Sequence, residues 1–256
     1  MFLLLPIHDD APRKRSPLIV YLLLAINLLV YIQAIHVKMS DPEHIQALFQ
    51  GYGLVPEVFL SWWKLALDDP GALSGQWPEF LRWAVLPLLT YQFLHAGVAH
   101  LAGNMLFLWT FGDNVEDRMG RIGFVFFYLL SGILAVLVHC LFDPASQVPV
   151  VGASGAISAV MGAYLVLFPK ARVLLLVWII IFVTFVRVSA WLLLLPYFVL
   201  QFPAVQRLFS LGETQGIAVW AHIGGFLAGM GLGPLFALAK TRAQQDGGKK
   251  KGGRKR

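Results

Sequence analysis

The sequence predicts an all-α membrane protein, a polytopic six-transmembrane-helix bundle with a long membrane-associated first loop. Three observations carry this. The 256 residues are 58% hydrophobic and 13% charged, with a mean hydropathy of +0.70, whereas a soluble domain carries about 25% charge. Apolar runs of about 20 residues, the length that crosses a hydrocarbon core, recur along the chain. Lys and Arg are also distributed unevenly between the connections, as the orientation rule for short loops requires.

Taken in order, residues 1–16 form a short polar start, expected in the cytoplasm, ending in Arg13-Lys14-Arg15. Leu18–Val37 has no Asp, Glu, Lys or Arg and is the first span. A basic stretch before an apolar run also describes a signal peptide, but this run is long and no small-residue cleavage site follows it cleanly. Residues 38–92 hold three basic residues against six acidic ones, together with Trp62, Trp63, Trp77 and Trp83. That tryptophan load suits a membrane interface, and a structureless loop of this length is unusual. Short amphipathic helices lying on the membrane are expected here.

Phe93–Gly112 is the second span, followed by a turn with Asp113, Glu116, Asp117, Arg118 and Arg121. Ile122–Phe142 is the third, and Gly152–Phe168 the fourth, ended by Pro169-Lys170-Ala171-Arg172. Val173–Val186 is short for a span, Val188–Gln206 is long enough, and Thr214–Ala239 is the last. Charge decides between six and seven. The connections at 113–121 and 169–172 hold two basic residues each and the tail from Lys240 holds eight, whereas 143–151 holds none and 207–213 holds Arg207 alone. Six spans with both ends inside fit this alternation, so 173–186 reads as an interfacial or re-entrant stretch. The domains are then a cytoplasmic segment 1–16, a six-span unit 17–239, and a basic cytoplasmic tail 240–256 without structure of its own.

Several function classes drop out. A single cysteine, Cys140, excludes an internal disulfide framework. The net charge is +6, but 8 of the 20 Lys and Arg lie in the tail rather than across a folded face, so no specific nucleic-acid role is expected. Contact between that tail and anionic lipid is the simpler reading.

The chemistry centres on Val151-Gly152-Ala153-Ser154-Gly155-Ala156-Ile157-Ser158. Two glycines flank Ser154 and leave its hydroxyl uncrowded at the start of an apolar helix. Ser154 lies near the outer end of the fourth span, His222 about 9 Å below the start of the sixth, and His100 about 10 Å along the second. Three polar residues from three helices therefore arrive at similar depth. His100 and Asn104 are i, i+4 and share a face. Polar groups in a bilayer usually face the bundle interior or a water-filled cavity. Each alone could simply hold helices together. Beside a serine and a histidine they are also donors for a developing oxyanion. Small residues at Ser154, Ser158 and Gly162, and at Gly225 and Gly229, let the two helices approach. Hydroxyl, imidazole and donors make an activated nucleophile. No acid lies in the outer halves of the spans, so a Ser154–His222 dyad is expected rather than a triad. A metal site would need carboxylate or cysteine partners, and His95 and His100 at i, i+5 are poorly placed for one. No metal or cofactor is expected. A channel or transporter would carry polar residues through the full depth of the bundle, whereas these cluster in the outer half.

These residues resemble the rhomboid intramembrane serine proteases. The matching pieces are His95-x4-His100-x3-Asn104, Gly152-Ala153-Ser154-Gly155 and Ala221-His222-x-x-Gly225-x3-Gly229, with Glu116-x-Arg118 resembling the family's Glu-x-Arg turn and Ser189-Ala190-Trp191 standing where a Pro-Ala-Trp-like stretch is common. The resemblance implies a serine endopeptidase that cuts single-span membrane proteins near the outer end of their helix. Ser154 would be the nucleophile and His222 the general base. His100, Asn104 and the Ser154 N–H would form the oxyanion hole, with Gly152 lining it, and His95 would support it. The fifth span and the 203–215 loop would gate and cap the site. The setting would be the bacterial cytoplasmic membrane, with both termini in the cytoplasm. Many relatives carry Trp-Arg where this chain has Leu86-Pro87, so its first loop is anchored differently. A rhomboid-like pseudoprotease that binds membrane clients without cutting is the alternative, although such proteins usually lack the Ser or the His.

Overall fold

A computed structural model of the chain describes residues 2–41, 44–208 and 218–252. Strand β1 (Phe2–Asp9) is followed by α1 (Leu18–Ser40), α2 (His44–Tyr52) and α3 (Pro56–Asp68). Short turns of helix follow as α4 (Trp77–Phe80) and α5 (Pro87–Thr90), then α6 (Val98–Met119), α7 (Arg121–Phe142) and α8 (Ser154–Leu167). Strands β2 (Arg172–Ile179) and β3 (Phe182–Ser189) precede α9 (Ala190–Val199), α10 (Pro203–Leu208) and α11 (Val219–Gly252). Among the described residues, three helical segments are long and apolar enough to cross a bilayer: Leu18–Ser40, Arg121–Phe142 and Val219–Thr241. A fourth is Trp77–Phe93 with Val98–Met119, if these two pieces, bent by 79° at their junction, are one span. The protein is an integral membrane protein built as a helical bundle.

Two of the six expected spans are shorter than a bilayer. Helix α8 has 14 residues and α9 has 10. The first is buried along its length, from Gly155 to Leu165, so protein rather than lipid surrounds it and full membrane length is unnecessary. The second contains Pro196, which lacks the N–H that helix continuation uses. The 203–215 loop falls partly, and the expected start of the sixth span at Thr214 wholly, outside the described residues.

Helix α8 is the axle of the bundle, packed by α6, α7 and α11. Its approach to α11 is set by missing side chains. A Cβ added at Gly225 would lie 2.1 Å from the Gly155 carbonyl oxygen, and one at Gly229 would lie 1.9 Å from that of Ala159. At Gly233 it would meet the Ala163 Cβ at 2.8 Å. The residues on α8 that face these glycines are therefore Gly155, Ala159 and Ala163, and Gly162 of the expected Ser154, Ser158 and Gly162 row also meets α11, where an added Cβ would lie 2.1 Å from the Phe226 carbonyl oxygen. Aromatic rings fill the flanks, with Phe111 against Tyr164 and Phe198 stacked on Phe226 at 4.6 Å.

Three expectations are corrected at the other end of α8. Residues 173–186, expected as an interfacial or re-entrant stretch without strands, form most of a β-hairpin, and the polar start supplies its third strand. The order is β1-β2-β3, all antiparallel, with Leu5 opposite Leu176 and Leu176 opposite Phe185. The stretch is rich in Val, Ile, Leu and Phe, which favour a pleated surface, and β1 satisfies one edge of it. Pro6 sits in an edge strand, where its missing N–H costs no ladder bond. Second, Asp113, Glu116, Asp117 and Arg118 lie on α6 rather than in a turn. The helix continues because these residues have partners: Glu116 accepts from Val20 N–H at 2.9 Å and caps α1, Asp113 pairs with Arg13, and Asp117 accepts from Lys14 N–H at 3.0 Å. Arg118 is exposed. Gly120, at φ 79°, turns the chain into α7. Third, α11 continues through Lys240 to Gly252, where a tail without structure was expected. Thr241–Gln245 holds no Gly or Pro to stop it.

The first loop matches its expectation of short helices. Trp63 packs edge-on to Phe80 and donates to the Ala84 carbonyl at 3.2 Å, beside buried Leu73. Leu86 donates to the Leu81 carbonyl, a wide turn just before Pro87, and Arg82 lies 5.0 Å over the Trp83 ring.

The sheet is locked to the bundle through Asp9. Its carboxylate is 7% exposed, accepts from Asn114 Nδ2 at 2.9 Å and from the Tyr164 hydroxyl, and is pushed up to about 6, chiefly by burial. Between the ordinary value of 3.8 and about 6, the folded chain holds a proton that the unfolded chain has released. Stability therefore falls as pH rises through that window, by on the order of 2–3 kcal/mol. Asp9→Asn should abolish the fall and melt higher than wild type at pH 7.5 in detergent. Parallel melting curves for the two proteins at pH 4.5 and 7.5 would show that Asp9 does not titrate as a buried group. Gly229→Ala should destabilise by about 1–3 kcal/mol through overpacking. Gly231→Ala, whose Cβ meets nothing within 4 Å, should gain up to about 1 kcal/mol of helix propensity. Thermal unfolding of the pair separates close approach from propensity.

Candidate active site

Backbone hydrogen bonds pin the segment before α8. Leu54 and Val150 exchange backbone hydrogen bonds at 3.0 and 2.8 Å, and Gly152 N–H donates to the Tyr91 carbonyl at 2.9 Å. Gly152 takes φ 126°, a region that favours glycine. A Cβ there would also lie 2.7 Å from His100 Nε2, so the imidazole of His100 rests directly on this backbone. Ser154 then opens α8 as its first residue.

Three helix N-termini converge. His100 is the third residue of α6, Ser154 the first of α8 and His222 the fourth of α11. His222 thus lies nearer the start of its helix than the expected six residues. Because Gly225 seats α11 on the Gly155 backbone, the Ser154 hydroxyl reaches His222 Nε2 at 2.8 Å. On the other side of the ring, His222 Nδ1 is 2.9 Å from Gln201 Oε1. A serine hydroxyl bonded to a neutral imidazole is the arrangement in which the ring can take the hydroxyl proton as the oxygen attacks.

The pair opens into a cavity of about 580 Å³ whose walls include His100, Asn104, His139, Val150 and Tyr197. Asn104 is 8% exposed and its Nδ2 has no hydrogen-bond partner among the described residues. A buried donor left unpaired costs about 1–3 kcal/mol, so this amide is available to an acceptor entering the cavity. His95 is 1% exposed and packs its ring edge-on to His100 at 5.1 Å. Gly155, Gly225 and Gly229 form the α8–α11 contact. Glu116 and Arg118 lie 12 and 14 residues beyond Asn104 on α6, about 18–21 Å away at the sheet end.

Two residues were missed by sequence reasoning: Gln201, which stands beside His222, and His139, which lines the cavity. The search for a third member of the pair considered only acids, and Gln201 is a neutral amide in the turn after α9. Its signal was its position as the first polar residue after the ten apolar ones of α9. His139 sits in the last turn of α7 and was passed over as part of an apolar span.

Comparison with known proteins now has a geometry to explain. The Rhomboid domain pattern matches residues 82–239. The rhomboid protease GluP of Bacillus subtilis is 45% identical over 78 residues, covering 30% of this chain and 15% of its own length. RHOMBOID-like protein 5 of Arabidopsis thaliana is 32% identical over 157 residues, 61% of this chain and 45% of its own. The mitochondrial rhomboid protein 1 of Saccharomyces cerevisiae is 34% identical over 96 residues, 36% and 28% respectively. The chain thus spans less than half the length of these relatives. Since they come from a bacterium, a plant and a mitochondrion, they give no support to the narrower expectation of a bacterial cytoplasmic membrane. The match over residues 82–239 takes in more than half the sequence and every cavity residue from Ala96 to His222, and the chain belongs to the rhomboid family.

Proposed function

We propose that this protein is an intramembrane serine endopeptidase in which Ser154 is the nucleophile and His222 the general base. The observation that carries the reading is the 2.8 Å contact between the Ser154 hydroxyl and His222 Nε2 at the wall of a 580 Å³ cavity. Family membership, with a named protease among the relatives, supports a hydrolase.

The steps follow from the positions. His222 Nε2 takes the Ser154 proton as Oγ bonds to the peptide carbonyl carbon. Negative charge then develops on the carbonyl oxygen. Asn104 Nδ2, His100 and the Ser154 N–H are the donors nearest to it, and the N-terminal end of α8 adds a favourable dipole. Gly152 keeps a side chain out of that space. His222 returns its proton to the leaving amine, which breaks the C–N bond, and a water entering the cavity repeats the sequence to release the acyl group. His95 supports the His100 ring by packing.

Substrates are single-span membrane proteins. A peptide bond inside an intact helix has its carbonyl hydrogen-bonded four residues on, so the scissile segment must unwind, which favours small or helix-breaking residues near the helix end. The basic residues at the sheet end of the bundle support a reading in which that end and both termini are cytoplasmic and the cavity opens on the opposite face.

In proteoliposomes holding a reporter single-span substrate, Ser154→Ala and His222→Ala should each lower kcat by at least about 10³-fold. A fluorophosphonate should label wild type and not Ser154→Ala. A folded wild type that neither cuts nor labels would instead make this a client-binding pseudoprotease. Asn104→Ala should lower kcat by about 10–100-fold while KM changes little, since its amide acts on charge that exists only in the transition state. A rise in KM at constant kcat would move Asn104 from the oxyanion to ground-state binding.

A further inference from the structure

Resting on the reading of Ser154 and His222 as nucleophile and base, we propose that Gln201 is a positioning residue for the pair: its amide oxygen holds the proton on His222 Nδ1 and so keeps the Nε2 lone pair on Ser154. The ring has two neutral tautomers, and only the one protonated at Nδ1 leaves Nε2 free to accept the serine proton. Gln201 Oε1 stands 2.9 Å from Nδ1. An amide can also present its NH2 group, which would select the opposite tautomer and leave His222 donating to Ser154. The chain excludes that by using the NH2 elsewhere.

Gln201 Nε2 donates to the Tyr197 carbonyl at 3.4 Å. That carbonyl is open because Gln201 N–H bonds the Phe198 carbonyl at 3.1 Å, where a continuing helix would have taken Tyr197. The tightened last turn of α9 therefore fixes which end of the amide faces the ring. A backbone detail of one helix sets the protonation pattern on another.

Gln201 belongs to neither helix of the pair. It rides on the end of α9, which meets α11 through Phe198 stacked on Phe226. The pair is oriented only while α9 lies against α11. Being neutral, the amide selects a tautomer without adding a charge to stabilise the imidazolium. Among the described residues, the other titratable groups around the cavity are His100 from α6, His139 and Asp143 from the end of α7, and Tyr197 from α9.

Gln201→Leu, in proteoliposomes, should lower kcat about tenfold with KM within about twofold, the scale of one lost hydrogen bond. The ¹⁵N imidazole shifts of His222, assigned by difference against His222→Gln, should move from the Nδ1-protonated pattern toward a mixture. Gln201→Glu restores an acceptor and adds a charge, so the acid limb of kcat/KM should shift up by about one pH unit. Wild-type kcat and unchanged shifts in Gln201→Leu would overturn the proposal. If Gln201→Leu does not fold, the Glu variant decides: an unmoved acid limb overturns it. A wild type that cuts nothing yet loses its Nδ1 preference in Gln201→Leu would refute the protease reading while upholding this one.

Discussion

The contact on which everything else rests is backbone against backbone, between α8 and α11. Gly225 and Gly229 bring α11 onto the carbonyls of Gly155 and Ala159. At that separation a serine and an imidazole on neighbouring helices meet at 2.8 Å. In a bilayer no hydrophobic force pulls helices together, so dispersion across small residues is what remains. Helix α8 can be short because other helices enclose it, and its first residue can then lie where a cavity brings water. The bundle packs tightly in its middle so that one end can stay open.

Much of the site was legible because polar residues inside apolar runs stand out. Ser154, His222, His100 and Asn104 were singled out by type and span position, and the structure gathers all four at one cavity. Residue spacing found that α8 and α11 carry rows of small residues, but Gly155, Ala159 and Ala163 join Gly162 against α11, since periodicity gives a row without saying which neighbour it faces. Gln201 was invisible for a different reason. A neutral amide at the end of an apolar helix carries no charge signal, and its partner lies 21 residues on. The sheet was missed because a 14-residue apolar run fits a buried helix as well as a strand, and the strand that completes it lies in a segment that reads as polar.

Helix ends carry the polar work at both ends of the bundle. Around Ser154 three helix N-termini bring positive dipole ends beside a cavity, a setting that receives negative charge. At the sheet end, Glu116 does for α1 what a ligand would do at an open terminus, accepting from Val20 N–H. One helix, α6, therefore presents uncharged donors at its start and carboxylates at its end. This difference divides the molecule into an end that opens into a cavity and an end held by charged contacts.

The sheet has a consequence for how the protein is made. Strand β1 pairs with β2, whose residues lie more than 160 positions later in the chain. At about 5–20 residues per second, Leu3, Leu4 and Leu5 wait on the order of ten to thirty seconds for their partners while four helices enter the membrane. During that interval an apolar strand with two open edges is exposed to any chain or chaperone nearby. The sheet thus closes on a segment synthesised long before its partners, and a fault in the 172–189 hairpin would be felt at β1 before it was felt at Ser154.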